Sequence, residues 1–266
     1  MKTQIDRANI LRSLHIKGDP LVLFNIWDAG SARVVEEAGA RALATGSWAV
    51  AASHGYSDGE ELPLDLVLGN LRRIMEVVSL PVSVDIEGGY GKSPSEIQGV
   101  IGRVIEAGAV GVNFEDRVID GKGLYSIEEQ CSRIKAVHKA AREASMPLFI
   151  NARTDIFFRH DNVAHNDSHL KEAVRRAVAY AKSGADGLFV PGLKSPRYIE
   201  KLCQLSPLPV NLLVLSYPIP AMQFARLGVA RISYGPSPYC QMMDELKKAA
   251  HKAFSNYFLN LTYSNY

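Results

Sequence analysis

The stretch PVSVDIEGGYGKS, residues 81–93, joins an apolar strand pattern to a glycine turn and a helix start. Its end, Gly91-Lys92-Ser93, has the form of a phosphate-binding loop, but such a loop needs another Gly, separated from Gly91 by four residues, and Ile86 occupies that position. Asp85 and Glu87 would also repel a polyphosphate. We therefore interpret the stretch as a strand that ends in carboxylates and a turn.

Seven other apolar runs of strand length lie on either side of this one, and amphipathic stretches such as 63–79 and 168–184 separate most of them. Alternation of this kind predicts a parallel α/β fold, and a count of eight predicts a (β/α)8 barrel. A doubly wound open sheet is the alternative architecture. The predicted strands are residues 20–28, 41–47, 81–89, 110–116, 147–155, 187–192, 208–214 and 230–235.

A glycine joint precedes four of these strands. It reads EEAGAR at 36–41, IEAGAV at 105–110, AKSGAD at 181–186 and ARLGVA at 225–230. Gly adopts the left-handed conformation that ends a helix without Cβ strain. The joint therefore predicts a repeated helix stop before a short connection to the next strand, which favours crossover helices and a parallel sheet.

The composition is that of one ordinary globular domain, with 266 residues, 47% hydrophobic and a net charge of +2. We predict a barrel core with an N-terminal helix over 1–235, followed by a C-terminal helix and aromatic tail over 236–266 that belong to the same domain and make oligomer contacts. The sequence shows no basic patch for nucleic acid and no apolar run that could span a membrane or direct secretion.

Cysteine usage points to a reducing compartment. Cys131, Cys203 and Cys240 are far apart in the sequence and form no CxxC or Cys/His cluster. An odd, sparse count argues against a disulfide framework and favours a cytoplasmic protein. The seven histidines show no zinc spacing.

Acidic side chains end two neighbouring predicted strands. Because alternate residues of a strand share a face, we expect Asp85 and Glu87 to point together, with Glu115 beside them and Arg153 nearby on the next strand. Adjacent carboxylates repel one another unless a cation lies among them. Oxygen ligands without His or Cys select Mg²⁺, or Mn²⁺ as the alternative, so we predict a metal site at Asp85, Glu87 and Glu115. Arg153 is a candidate grip for a substrate carboxylate or phosphonate.

These residues resemble the isocitrate lyase and phosphoenolpyruvate mutase superfamily. The match runs from residues 24–58 through VDIEGGYG (84–91), NFED (113–116) and NARTD (151–155) to LGVARISYG (227–235). The resemblance implies a (β/α)8 barrel, a Mg²⁺-stabilised enolate, and carbon–carbon or carbon–phosphorus cleavage in 2-oxo or 2-hydroxy carboxylates. It also implies a homodimer or homotetramer in which the last helix is exchanged between subunits.

The resemblance assigns roles by position. Asp85 matches the acid that binds the metal directly, and Glu87 and Glu115 match acids that act through metal-bound water. Asp58 matches a catalytic acid on the loop after strand two, and Arg153 matches the arginine that binds substrate and takes part in catalysis. The residues matching substrate-binding positions are Thr45, Gly46, Ser47, Arg153 and Asn211.

The loop after strand four, which is mobile in the superfamily, departs here from the superfamily pattern. Isocitrate and methylisocitrate lyases carry a KKCGH-type segment there, whereas this chain reads RVIDGKGLYSIEEQ at 117–130, without Cys or His. Among the polar substitutes Asp120, Lys122 and Tyr125, we select Lys122 as the acid–base candidate. The usual isocitrate or methylisocitrate chemistry is therefore not predicted.

Three functional hypotheses follow. The first is a Mg²⁺-dependent lyase acting on a small 2-oxo or 2-hydroxy dicarboxylate, by retro-aldol cleavage or decarboxylation. The second is carbon–phosphorus chemistry of the mutase or carboxyphosphonoenolpyruvate type. The third is a barrel that has lost catalysis and serves in binding. A Schiff-base aldolase is disfavoured because no predicted strand carries a Lys.

Overall fold

The structure is a computed structural model that describes residues 2–119, 121–158, 166–215 and 221–263, with side chains described as far as residue 255. Strands and helices alternate through all of these segments. The strands are β1 (Leu21–Leu23), β2 (Leu43–Ala44), β3 (Val82–Asp85), β4 (Gly111–Glu115), β5 (Phe149–Arg153), β6 (Gly187–Val190), β7 (Val210–Leu213) and β8 (Arg231–Ser233). Each lies within one of the predicted apolar runs.

The strands form one parallel sheet in the order β1-β8-β7-β6-β5-β4-β3-β2. The seam between β1 and β2 carries a single bridge, Ile26 to Thr45. There the Ile26 amide donates to the carbonyl of Ala44 at 2.9 Å, and the Gly46 amide donates to the carbonyl of Ile26 at 3.2 Å. These bonds nearly close the sheet into a (β/α)8 barrel, so the predicted fold class is confirmed and the open-sheet alternative is wrong.

The helices surround the barrel. They are α1 (Gln4–Ser13), α2 (Ala29–Glu37), α3 (Ser47–Ser53), α4 (Leu64–Val77), α5 (Pro94–Glu106), α6 (Ile127–Glu143), α7 (Asp167–Lys182), α8 (Pro196–Leu205), α9 (Ala221–Arg226) and α10 (Ser237–Tyr263). The helix start predicted after the glycine turn is present, because Ser93 caps α5 in a reciprocal arrangement with Glu96, and Pro94 is the first helical residue.

The four glycine joints end helices as predicted. Gly39, Gly108, Gly184 and Gly228 have φ angles of 94°, 104°, 102° and 84°. In this left-handed region a Cβ atom would be strained, so Gly is the residue that allows the chain to leave each helix and enter the next strand directly.

Helix α1 covers the amino end of the barrel. Leu11 and Ala8 of this helix are fully buried. Just beyond it, the His15 ring stacks on Phe149, the first residue of β5, with ring centroids 3.9 Å apart. Burial lowers the pKa of His15 to about 3, and the positive charge of Arg231 acts in the same direction. The imidazole is therefore neutral at physiological pH.

Helix α10 follows β8 and carries exposed apolar side chains, among them Met242, Leu246 and Phe254. Exchange of this helix between subunits stays a prediction, because the structure contains one chain. Among the described residues, no helix is long and apolar enough to cross a membrane.

Candidate active site

A cavity of about 140 Å³ opens at the carboxyl ends of the strands. One part of its lining is polar and includes Asp85 and Arg153 at strand ends, Ser47 at the start of α3, and Asp58 on the loop after α3. Another part is apolar and includes Trp48, Phe158, Phe189, Leu213 and Leu215. This is the end of a barrel at which such folds place their chemistry, because the loops there converge from every strand.

Asp85 ends β3 and borders the cavity. Its carboxylate accepts long hydrogen bonds, at 3.3 Å from the Ser47 hydroxyl and 3.4 Å from the Ser47 amide, while its own amide donates to Thr45 Oγ1 at 2.9 Å. Burial raises the pKa of Asp85, Arg153 acts against that rise, and Asp58 adds to it. Asp85 is thus a desolvated carboxylate with lone pairs available for a further ligand.

Glu87 approaches Asp85 by a different route from the one predicted. The strand ends at Asp85, so the alternation of strand side chains does not extend to Glu87, which has a φ of 50°. Its Oε2 accepts from the amides of Gly59 at 2.7 Å and Glu60 at 3.0 Å. Burial, followed by the charges of Asp58 and Asp85, raises the pKa of Glu87 to about 8. The two acids do lie close together, but a turn rather than a pleat brings them there.

The turn after Glu87 depends on the absence of a side chain at Gly89. This residue has a φ of 96°, and a Cβ atom would lie 2.7 Å from the Phe114 ring. Arg133 of α6 holds the same turn from outside, donating to the carbonyls of Gly88, Gly91 and Lys92. Its guanidinium also lies 4.2 Å from the centroid of the Tyr125 ring. The glycine turn is therefore fixed to the loop that follows β4.

Arg153 bridges two acids at the end of β5. Its Nη1 lies 2.8 Å from Glu115 Oε2, and its Nε and Nη2 donate to Asp155 at 2.6 and 2.9 Å. Burial raises the pKa of Glu115 well above its usual range, and the adjacent guanidinium acts against that rise. The predicted proximity of Arg153 to the acids is confirmed. The ion pair between Asp155 and Arg153 was not predicted. The position of Asp155, two residues after Arg153 in NARTD, was the sequence signal that could have indicated it.

Asp116 belongs to a buried network that the sequence did not reveal. Its Oδ2 accepts from Arg176 at 3.0 Å and from the Tyr180 hydroxyl at 2.7 Å, and its Oδ1 accepts from the Asp155 amide at 3.1 Å. Arg176 also donates to the Tyr125 carbonyl at 3.0 Å. Helix α7 thereby supports both the segment that holds Arg153 and the base of the loop after β4.

The remaining predicted site residues divide into two groups. Gly46, Ser47 and Asp58 border the cavity, and Thr45 supports Asp85 from beneath. Lys122 is exposed and does not line the cavity, and Asp120 lies outside the described residues. Asn211 is buried below the cavity, where its Oδ1 accepts from the Ser233 hydroxyl at 3.2 Å. The predicted roles of Lys122 and Asn211 have no support in this geometry.

The donor set is suited to Mg²⁺. Asp85, Glu87 and Glu115 are oxygen donors, burial raises the pKa of each, and Arg153 pairs with only one of them. Within the described segments, no three His, Cys, Asp or Glu side chains are grouped closely enough to hold a metal together. Such an arrangement suits an ion that takes one or two carboxylates and keeps several waters, with Asp85 as the direct ligand.

Comparison with known proteins places the chain. The family model described as phosphoenolpyruvate phosphomutase matches residues 11–254. The chain belongs to this family. Its polar strand ends therefore occur in a superfamily of lyases and mutases, and the recognition made from the sequence motifs is confirmed.

Two relatives and one structural neighbour are similar to this chain. The solved structure of a phosphonomutase candidate from Burkholderia cenocepacia J2315 is 47% identical, covers 94% of this chain and 100% of its own, and has a TM-score of 0.92. The 2-methylisocitrate lyase of Escherichia coli K12 is 33% identical over 67% of this chain and 60% of its own. A phosphonopyruvate hydrolase solved with oxalate and Mg²⁺ shares the fold, at 23% identity and a TM-score of 0.83, over 94% of this chain and 87% of its own.

Proposed function

We propose that this protein is a Mg²⁺-dependent lyase that cleaves a carbon–carbon bond in a small 2-hydroxy or 2-oxo dicarboxylate through an enolate. The observation that supports this most directly is the presence of three desolvated carboxylates, Asp85, Glu87 and Glu115, at the barrel mouth, of which Arg153 pairs only with Glu115. Buried acids in such number are costly unless a cation and a function retain them.

Asp85 would hold Mg²⁺ directly, and Glu87 and Glu115 would hold it through water. Bound there, Mg²⁺ supplies a Lewis acid that stabilises negative charge on a substrate oxygen. The acids have second tasks as well. Glu87 fixes the loop at Gly59 and Glu60 beside Asp58, and Glu115 keeps Arg153 in place.

Arg153 is the proposed grip on the substrate carboxylate. A guanidinium has five N–H donors, and three of them are used by Glu115 and Asp155. The two that remain belong to the terminal nitrogens, and Arg153 borders the cavity. Two N–H groups on a planar guanidinium match a carboxylate, which explains the choice of Arg over Lys at this strand end.

Asp58 is the proposed proton carrier. In a retro-aldol cleavage the substrate hydroxyl loses a proton, the carbon–carbon bond breaks, and its electrons pass into the enolate, which then takes up a proton. Asp58 lies on an exposed loop and borders the cavity close enough to influence the pKa of Asp85 and Glu87. A carboxylate at the rim can exchange protons with both solvent and substrate.

Carbon–phosphorus cleavage is the second candidate. The 47% identity to the phosphonomutase candidate favours it, and Arg153 suits a phosphonate as well as a carboxylate. An inactive barrel that only binds its ligand is the third. All three readings share the same metal site, so binding and turnover must be measured separately.

The test is a panel of small acids measured with Mg²⁺ and again with a chelator. Oxaloacetate, 2-methylmalate, methylisocitrate, phosphonopyruvate and oxalate are assayed for heat stabilisation and for product. We expect a 2-oxo or 2-hydroxy dicarboxylate to stabilise the protein only with Mg²⁺ and to be cleaved. Cleavage of phosphonopyruvate alone would establish the second candidate, and Mg²⁺-dependent binding without any turnover would establish the third.

Asp85→Asn provides the decisive variant. Loss of several kcal/mol of charge stabilisation corresponds to a drop in turnover of about 1,000-fold or more. The matched control is Asp65→Asn, the same change at an exposed acid that pairs with Arg103 on the barrel surface. Full activity in Asp85→Asn would refute the proposed metal site.

A further inference from the structure

A buried guanidinium lies beneath the floor of the cavity. Arg231, on β8, is fully buried inside the barrel, where its Nε donates to Ser233 Oγ at 3.2 Å and its Nη2 donates to Asn113 Oδ1 at 3.3 Å. Its Nη1 is buried and has no hydrogen-bond partner among the described residues. Burial lowers the pKa of Arg231 to about 9, with Asp85 acting against that shift, so the side chain is charged at neutral pH.

Arg231 determines which way the Asn113 amide faces. A guanidinium can only donate, so Asn113 must present its oxygen to it. The same oxygen accepts from Asn151 Nδ2 at 2.9 Å. The amide nitrogen of Asn113 is therefore directed away from both donors, and its orientation is set by two neighbours rather than left free.

That amide nitrogen has no acceptor among the described residues. No hydrogen bond from Asn113 Nδ2 to any described residue is formed, and the atom is not sealed in the core. Asn113 lines the cavity, and in the sheet it is the register partner of Asp85, the proposed metal ligand. Asn113 Nδ2 is thus an oriented hydrogen-bond donor at the cavity, next to Asp85, near which a substrate oxygen would bind.

We propose that Asn113 donates a hydrogen bond from Nδ2 to a carboxylate or enolate oxygen of the substrate, and that Arg231 is the positioning residue that fixes this amide. The inference rests on the proposed function and deepens it, because it places a neutral donor next to Asp85. A neutral donor adds no charge repulsion to the site. Its hydrogen bond strengthens as negative charge develops on the substrate oxygen that it contacts.

The sharpest variant is Asn113→Asp. Aspartate keeps an oxygen for Arg231 and Asn151, so both hydrogen bonds can still form, while the neutral donor is replaced by a charged acceptor. We expect the affinity for oxalate in the presence of Mg²⁺, measured by calorimetry, to fall at least about 30-fold, as for the loss of a hydrogen bond to a charged group plus repulsion. The melting temperature without ligand should stay close to that of the wild type.

Asn211→Asp is the comparison variant. Asn211 is the register partner of Arg231 and contacts Ser233, so this change also places a carboxylate in the buried polar layer, but Asn211 does not line the cavity. We expect it to lower oxalate affinity far less than Asn113→Asp. An equal loss would mean that added charge, and not the missing donor, weakens binding, and would overturn the inference.

Variants of Arg231 test its positioning role. Arg231→Lys retains a donor for Asn113 Oδ1 and should recover most of the oxalate affinity that Arg231→Met loses. In the Asn113→Asp background, Arg231→Met should add little to the loss, because the amide it would release is already gone. Independent, fully additive losses would show that Arg231 acts only through general stability.

The outcomes separate this inference from the proposed function. Wild-type protein that binds none of the acids with Mg²⁺ would overturn both. Wild-type protein that binds oxalate with Mg²⁺, together with Asn113→Asp that binds it equally well, would overturn the role of Asn113 and leave the metal site standing.

Discussion

The two ends of the barrel differ in the ionisable groups that they bury. At the amino end, α1 covers the strands with the fully buried Leu11, and His15 is held neutral against Phe149. At the carboxyl end, Asp85 and Glu87 are desolvated without a cation in contact among the described residues. The covered end therefore stabilises the fold, whereas the buried carboxylates at the mouth cost free energy that a bound cation and substrate would offset.

Asp116 is an exception within the mouth, because Arg176 and Tyr180 compensate it. Arg176→Met would leave that acid buried without its cation and should lower the free energy of unfolding by about 4 kcal/mol. This is a larger change than those expected for Leu11→Ala and His15→Phe below. Denaturant unfolding at neutral pH measures it. Arg175→Met, at the exposed neighbour that pairs with Glu172, is the control and should change stability by less than about 0.5 kcal/mol. Equal values for the two variants would show that Arg176 does not compensate the buried charge of Asp116.

Leu11→Ala tests the covered end. The side chain is fully buried, so its truncation leaves a cavity beneath the strands and should lower the free energy of unfolding by about 3 kcal/mol. Ile5→Ala, on the same helix at 47% exposure, should cost much less. Calorimetry on the folded Leu11→Ala protein should give the wild-type oxalate affinity. A weaker affinity would show that the two ends are coupled.

His15→Phe tests the neutral charge state at the covered end. The pKa of His15 is about 3 in the folded state, against a usual value of 6.5. As the pH falls below 6.5, this histidine is therefore protonated in the unfolded chain but stays neutral in the folded chain. The histidine should therefore cost the wild type about 2 kcal/mol of stability between pH 7 and pH 5. The variant should lose correspondingly less over this range in denaturant unfolding. His251→Phe, at an exposed histidine of α10, is the control, and parallel curves for wild type and His15→Phe would contradict the assignment.

The fold was predictable because its signals are local. An apolar run of strand length and a glycine at the end of a helix act through the neighbouring few residues, so the strands and the joints at Gly108 and Gly184 could be read directly. The carboxylates at the strand ends were predictable because, once the sheet is parallel, it brings the carboxyl ends of its strands to one edge.

The parts of the site that were not predicted depend on distance in sequence or on an exact strand end. Asp116 and Arg176 are 60 residues apart, and no local pattern connects them. Glu87 was expected on the pleat, but β3 ends at Asp85. Asn113 and Asn211 look alike in sequence, and only the register and the depth of each strand show that Asn113 lines the cavity.

Hydrogen exchange at the seam between β1 and β2 should be sensitive to ligand binding in the cavity. Apart from its single bridge, the seam is joined by the Asn25 amide nitrogen, which donates to the Thr45 carbonyl at 3.1 Å. The Asn25 amide oxygen accepts from the amides of Tyr234 and Gly235, which follow β8, at 2.9 Å. Few bonds cross this line, so the amide hydrogens of Ile26 and Gly46 should exchange with solvent sooner than those of the long β4–β5 ladder. The cavity is also lined by Asn25, Gly46 and Ser47, so a bound ligand would slow that exchange. The exchange rate at the seam would therefore reveal ligand binding even when no product forms.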